Sequence, residues 1–150
     1  YMRLGKDVAP EIYDEKEEFF IGGSKQLTEG GDYAIIACGN MVWRAIKAAE
    51  MLAQENINCR VIDLYSIKPI DKNIIIAAAR ETKGLITVED HNIYGGMGGA
   101  VAEVLAECQP ARMKRMGLKD VFGRSGDPDK LYEMFHLTPA DIAQAVRTFE

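Results

Sequence analysis

Tyr33-Ala34-Ile35-Ile36-Ala37-Cys38-Gly39-Asn40-Met41-Val42-Trp43-Arg44-Ala45-Ile46 is the stretch that decides the fold class. Its first six residues form a continuous apolar run, as a strand covered on both faces must. Gly39-Asn40 breaks the run. From Met41 to Glu55, apolar residues then fall at Val42, Ala45, Ile46, Ala49, Leu52 and Ala53, which is helical spacing.

The same alternation continues downstream. Cys59 to Tyr65 reads as a second strand, and Ser66 to Ile70 as a loop carrying Pro69. Asp71 is placed to cap a helix running through Thr82, because its carboxylate can accept from the free N–H groups of the first turn. Gly84 ends that helix, and Leu85 to Glu89 is a third strand. After the loop Tyr94-Gly95-Gly96-Met97-Gly98-Gly99, a helix is expected over Ala100 to Cys108 and a last strand over Met113 to Met116. Two helices close the chain. Asp127-Pro128 opens the first as cap plus first-turn proline. Thr138-Pro139-Ala140-Asp141 opens the second as a capping box with Asp in place of Glu. Strands alternating with helices imply a parallel sheet between two helix layers, with right-handed crossovers. Upstream, residues 1–31 are irregular and charged, with Phe19-Phe20-Ile21 and Ser24 to Thr28 as candidate short strands and Glu29-Gly30-Gly31-Asp32 as a turn.

The 150 residues fit one domain, large enough to fold without disulfides or metal. A net charge of −5 argues against bulk binding to nucleic acid or to an anionic membrane. No stretch reaches the ~18 apolar residues of a membrane span, and no signal peptide is visible. Cys38, Cys59 and Cys108 are unclustered and odd in number, which suits a reducing, cytoplasmic compartment. His91 and His136 stand alone in their segments, so a metal site is not expected. The opening Tyr1-Met2-Arg3-Leu4 reads as the end of a strand and points to further domains ahead of it.

Four features invite chemistry. The glycine loop precedes a helix, where N–H groups attract anions. It holds neither Gly-x-Gly-x-x-Gly nor Gly-Lys-Ser/Thr, and a tight turn that brings the helix close to the sheet is the other reading. Val88-Glu89-Asp90-His91 ends a parallel strand, where α/β proteins place sites. A carboxylate beside an imidazole could move a proton; a helix cap with a surface ion pair explains the same residues. Arg112, Lys114, Arg115, Lys119 and Arg124 form a basic patch without interleaved aromatics, more in keeping with a solvated or interface face than with nucleic acid. Arg3 and Lys6 are two cations that could hold a phosphate.

Val61-Ile62-Asp63-Leu64-Tyr65-Ser66-Ile67-Lys68-Pro69-Ile70-Asp71 resembles the corresponding signature of transketolase C-terminal domains. So does Leu85-Ile86-Thr87-Val88-Glu89-Asp90-His91-Asn92-Ile93-Tyr94-Gly95-Gly96-Met97-Gly98, and so do Gly117 to Gly126 and Leu137-Thr138-Pro139-Ala140-Asp141-Ile142. Order and spacing match along the whole chain. The resemblance implies a three-layer α/β/α domain over residues 13–150. Its mixed five-stranded sheet would have the order 1-3-2-4-5, with strand 1 antiparallel, and residues 1–12 would be the tail of a preceding pyrimidine-binding domain or a linker.

In the complete enzyme the family implies transfer of a two-carbon ketol unit between sugar phosphates, with the diphosphate of thiamine diphosphate and Mg²⁺ held by an N-terminal domain at a Gly-Asp-Gly motif and the glutamate that activates the pyrimidine in a middle domain. No Gly-Asp-Gly occurs in this chain, which is therefore expected to bind neither and to be inactive alone, supporting a homodimer. By the same resemblance, the family's phosphate-binding Arg falls at Lys6, a departure, because Lys offers a point charge where Arg offers a fork. Arg3 is the second candidate for the substrate-phosphate contact. Deoxyxylulose-phosphate synthases and 2-oxoacid dehydrogenase beta subunits share this domain and remain alternatives. A non-catalytic assembly or regulatory module and a flavodoxin-like nucleotide binder are the other readings.

Overall fold

The computed structural model describes residues 10–149. Five strands are present among them: β1 (Lys25–Gln26), β2 (Tyr33–Ala37), β3 (Cys59–Asp63), β4 (Leu85–Asn92) and β5 (Met113–Leu118). The helices are α1 (Met41–Ala53), α2 (Lys72–Glu81), α3 (Met97–Cys108), α4 (Pro128–Met134) and α5 (Pro139–Arg147). The sheet order is β1-β3-β2-β4-β5. β1 pairs antiparallel to β3 and all other neighbours are parallel. This is the three-layer mixed architecture expected.

The apolar run of β2 shows why the sheet must be sandwiched. Ile35 and Ala37 point into one core with Val42, Ala45, Ala49 and Leu52 of α1 and Ile142 and Val146 of α5. Ala34 and Ile36 point into the opposite core with Ile75 and Ala78 of α2 and Val101 and Leu105 of α3. Period-two alternation within a wholly apolar strand thus divides it between two cores. α2, α4 and α5 each start where a nearby side chain meets the donor shortage of the first turn. Asp71 accepts from the N–H groups of Asn73 and Ile74 at 3.1 and 3.2 Å. Thr138 and Asp141 form the reciprocal box at α5, and Asp127 with Pro128 opens α4.

Several boundaries differ from expectation. Phe19-Phe20-Ile21 is not a strand. The chain turns there, with Gly23 N–H donating to Phe20 O at 2.9 Å and Gly22 at φ +87°. Ser24 to Thr28 contracts to the two residues of β1, because flanking side chains replace the ladder bonds. Ser24 Oγ donates to Asp71 at 2.8 Å, while Thr28 Oγ1 donates to Cys59 O and accepts from Val61 N–H. β3 stops at Asp63 rather than Tyr65, and β4 runs on to Asn92. α2, by contrast, ends where expected: Thr82 is its C-cap, and the Thr82 hydroxyl donates to Ala78 O at 2.8 Å. α3 starts three residues early, at Met97, because its first turn is capped from the sheet. β5 is one edge of the sheet, opposite the short edge strand β1. On it Lys114 lies toward α5, within 3.4 Å of Thr148, while the Arg115 guanidinium turns to the opposite face and donates to Ile93 O at 2.8 Å.

Candidate functional site at the carboxyl edge of the sheet

After β2 the chain crosses to one side, to β3; after β3 it crosses back over β2 to β4. The carboxyl ends of β2 and β4 therefore flank the switch point where open α/β sheets bind ligands. Cys38, Gly39 and Asn40 line one side, Glu89, Asp90 and His91 the other.

Glu89 is the structural centre of this edge. Only 2 % of it is exposed. Its Oε2 accepts from Met97 N–H at 2.7 Å and its Oε1 from Gly98 N–H at 2.9 Å. The carboxylate thus meets two of the orphan donors of α3 and sits at the positive end of its dipole. A Cβ on Gly96 would collide with this carboxylate, and one on Gly98 would lie 2.8 Å from Thr87 Oγ1. Gly96 has an extended backbone, so it is glycine for space, not for φ. The two sequence features, glycine loop and Glu-Asp-His run, are therefore one device, in which the first supplies donors and the second the anion.

That device answers both open readings. The anion position at α3 is already filled by a protein carboxylate, leaving no cradle for a phosphate there. Both oxygens of Glu89 are engaged by main-chain amides, and the His91 Nδ1–H donates to Asn92 O at 2.9 Å. Glu89 and His91 are not a proton-transfer pair in this geometry. Asp90, the remaining member, accepts from the Tyr132 hydroxyl at 3.3 Å instead of forming an ion pair.

The field at this edge is negative. Burial, together with the carboxylates of Glu89, Asp90 and Asp63, pushes the Cys38 thiol up to about 12. Burial and Asp90 likewise raise the Tyr132 phenol, opposed by Arg44. Arg44 is buried within α1, its guanidinium stacked 3.6 Å from the Tyr132 ring centroid and 4.3 Å from that of Trp43. It donates to Asn40 O at 3.2 Å and to Asp129 at 3.4 Å. A third carboxylate, Asp63 at the end of β3, accepts from Tyr13 at 2.6 Å. Burial raises Asp63 above the usual carboxylate range, and its Oδ1 has no protein partner. Sequence reading missed both Arg44 and Tyr13. Arg44 carried a signal, a charge within the apolar stripe of α1; Tyr13 carried none.

These residues do not suit thiamine diphosphate and Mg²⁺. Glu89 is committed to main-chain amides, Asp90 and one oxygen of Asp63 accept from tyrosine hydroxyls, and no group of three His, Cys, Asp or Glu side chains that could hold a metal occurs among the described residues. The phosphate-contact candidates Lys6 and Arg3 lie outside the described residues.

An α/β/α domain with a mixed 1-3-2-4-5 sheet, its carboxyl edge closed by a Glu-capped glycine loop, is the class defined so far. The family model for the transketolase C-terminal domain matches residues 22–142, and the chain belongs to that family. It is 39% identical over 145 residues to a 6-deoxy-6-sulfo-D-fructose transketolase subunit of Clostridium sp. (strain MSTE9), covering 97% of this chain and 45% of the relative. It is 38% identical over 146 residues to a 1-deoxy-D-xylulose-5-phosphate synthase of Syntrophotalea carbinolica, covering 97% of this chain and 23% of the relative. Among solved structures, a split-gene transketolase described as an inactive β4 tetramer superposes with a TM-score of 0.90 at 41% identity, over 94% of this chain and 46% of the other. The chain thus spans less than half the length of these relatives. No helix among the described residues is long and apolar enough to cross a membrane.

Proposed function

We propose that this chain is the C-terminal domain of a thiamine-diphosphate-dependent transketolase that moves a two-carbon ketol unit between sugar phosphates in the cytoplasm. The observation that carries the reading is the family match over residues 22–142, together with relatives named as transketolase subunits that extend well beyond the matched part. N-terminal and middle domains, on the same chain or on a companion subunit, supply thiamine diphosphate and Mg²⁺; the cofactor stores the carbanion. The share of this domain is structural: it supports a homodimer, and alone it is inactive. Residues 1–12 form the tail of the preceding domain or a linker, and residues 13–150 the C-terminal domain. Lys6, with Arg3 as second candidate, contacts the substrate phosphate. The decisive experiment joins this chain to its companion domains and assays ketol transfer from a ketose phosphate to an aldose phosphate. Absence of transfer, with formation of 1-deoxy-D-xylulose 5-phosphate in its place, would assign the chain to a deoxyxylulose-phosphate synthase, the second reading favoured by the 38% identical relative.

A further inference from the structure

Among the described residues, six large apolar side chains are more than half exposed: Phe20, Ile21, Tyr94, Val121, Phe122 and Met134. All six gather at the carboxyl end of the parallel strands. Phe20 and Ile21 hang from the turn just past β3, where Phe20 N–H donates to Tyr65 and Gly22 N–H to Ser66. Tyr94 follows the end of β4, and Val121 and Phe122 follow the end of β5. Met134 ends α4, which is moored to the same edge through Tyr132 and Asp90, and it shares one cleft with Val121 and Phe122. Ile21 is 90 % and Phe122 98 % exposed. Single exposed apolar residues need no explanation, but a set gathered on one end marks a contact surface.

The opposite, amino edge is of another kind. It carries the ion pairs Asp32–Lys83 at 2.7 Å, Glu55–Arg147 at 2.6 Å and Arg60–Glu81 at 2.7 Å. Charged groups there face water and each other, so the asymmetry is between two ends of one sheet.

We infer that the carboxyl edge is the surface on which the thiamine-holding domains of the complete enzyme seat, so that the switch-point crevice is covered by protein instead of open to a small ligand. This rests on the transketolase reading. Three observations select that occupant. Tyr13 is fixed on Asp63 at this edge, and Pro10 is only three residues away, at most about 11 Å of chain. The first described residue is therefore held near this edge and not the other, and the preceding domain of the proposed enzyme would join from this side. More than half the length of the two transketolase relatives lies outside the part this chain matches, which is ample to cover it. Finally, the exposed rim mixes Lys119 and Arg124 with Asp90 and Asp120 around the apolar side chains. An apolar centre with a rim of both signs fits a protein partner; a lipid surface would select a predominantly basic rim.

The test is site-specific photo-crosslinking in the complete enzyme. A photoreactive phenylalanine analogue replaces Phe122, Tyr94 or, as control, Met51 on the last turns of α1, and adducts are mapped by mass spectrometry. Adducts from positions 122 and 94 to peptides of the thiamine-holding domains, several-fold above position 51, are expected. A complete enzyme that assembles with the probe at 51 but not at 122 supports the same assignment. Adducts that map to a second copy of this chain or to lipid, or that do not exceed those at position 51, overturn it. Ketol transfer measured on the same preparation keeps the two ideas apart. Missing activity with the expected adducts would remove the transketolase reading and leave the surface standing.

Discussion

The Glu89 carboxylate fills the space that a side chain on Gly96 would need, and from there it receives the main-chain N–H groups of Met97 and Gly98. Strand and helix are thereby locked by a charge-assisted contact that neither residue could make if the other were changed. Glu89→Gln keeps one acceptor but turns an amide donor toward a buried N–H. It should cost about 1.5–3 kcal/mol, the worth of a charged hydrogen bond with its partner left buried. Gly96→Ala should be destabilising as well, because the carboxylate must move. Urea denaturation of the two variants measures both effects. A Gly96→Ala protein with an unchanged midpoint would show that the close approach is not needed.

The buried thiols give an alkaline limit to stability. Burial raises Cys38 and Cys59 each to about 12, from an ordinary value near 9. For an acid whose folded pKa lies above its unfolded one, the unfolded chain loses its proton first. The contribution of each thiol is then fully present below about pH 9 and is lost as pH rises toward 12. Each adds a slope of up to roughly 1.4 kcal/mol per pH unit in that window. Equilibrium unfolding between pH 8 and 11 should therefore show stability falling from about pH 9, and Cys38→Ala should flatten the fall. In parallel, iodoacetamide at pH 8 should label exposed Cys108 in the folded protein and reach Cys59 only after unfolding.

Local devices were legible in the sequence and long-range ones were not. The Asp71 and Thr138 caps lie within four residues of the donors they serve, so spacing alone revealed them. The apolar run at Tyr33–Cys38 announced a strand covered on both faces because nothing else tolerates such a run. By contrast, Glu89 caps a helix that begins eight positions on, past the end of its own strand and a loop, and Tyr13 reaches Asp63 across 50 positions. No period or motif encodes such pairings; they follow from where the crossovers place the strand ends. β1 was expected as an antiparallel strand only through the family resemblance, since two paired residues leave no hydrophobic alternation to read.

Thiamine diphosphate with Mg²⁺ should not bind the 150-residue chain by itself. The anion position at α3 is held by Glu89, and Asp63, Glu89 and Asp90 set a negative field at the switch point. Isothermal titration with the cofactor and Mg²⁺ checks this. A micromolar dissociation constant would show that the domain carries a diphosphate site after all.

Lys6 should act on the substrate phosphate in the complete enzyme. Loss of a charge-assisted bond worth roughly 1.5–3 kcal/mol corresponds to about 10- to 100-fold in kcat/KM. If the contact is equal in ground and transition states, Lys6→Ala raises KM for a phosphorylated donor and spares kcat. An unphosphorylated donor should be used as before, and Lys6→Arg should retain most activity. Steady-state kinetics with both donors decide the matter. Equal changes for the two, or none for either, would remove Lys6 from the site.

The open strand β5 bears on how the chain stays in solution. Its outer main-chain groups have no strand beside them, yet Lys114 and Arg115 interrupt Met113–Leu118 from opposite faces, with Arg112 and Lys119 flanking it. Stacking a second molecule against this border would bring like charges into register on both faces at once. The pattern works as a gatekeeper against fibrillar, strand-on-strand polymerisation, and it lets the domain present its apolar carboxyl edge to a partner without its flank recruiting copies of itself.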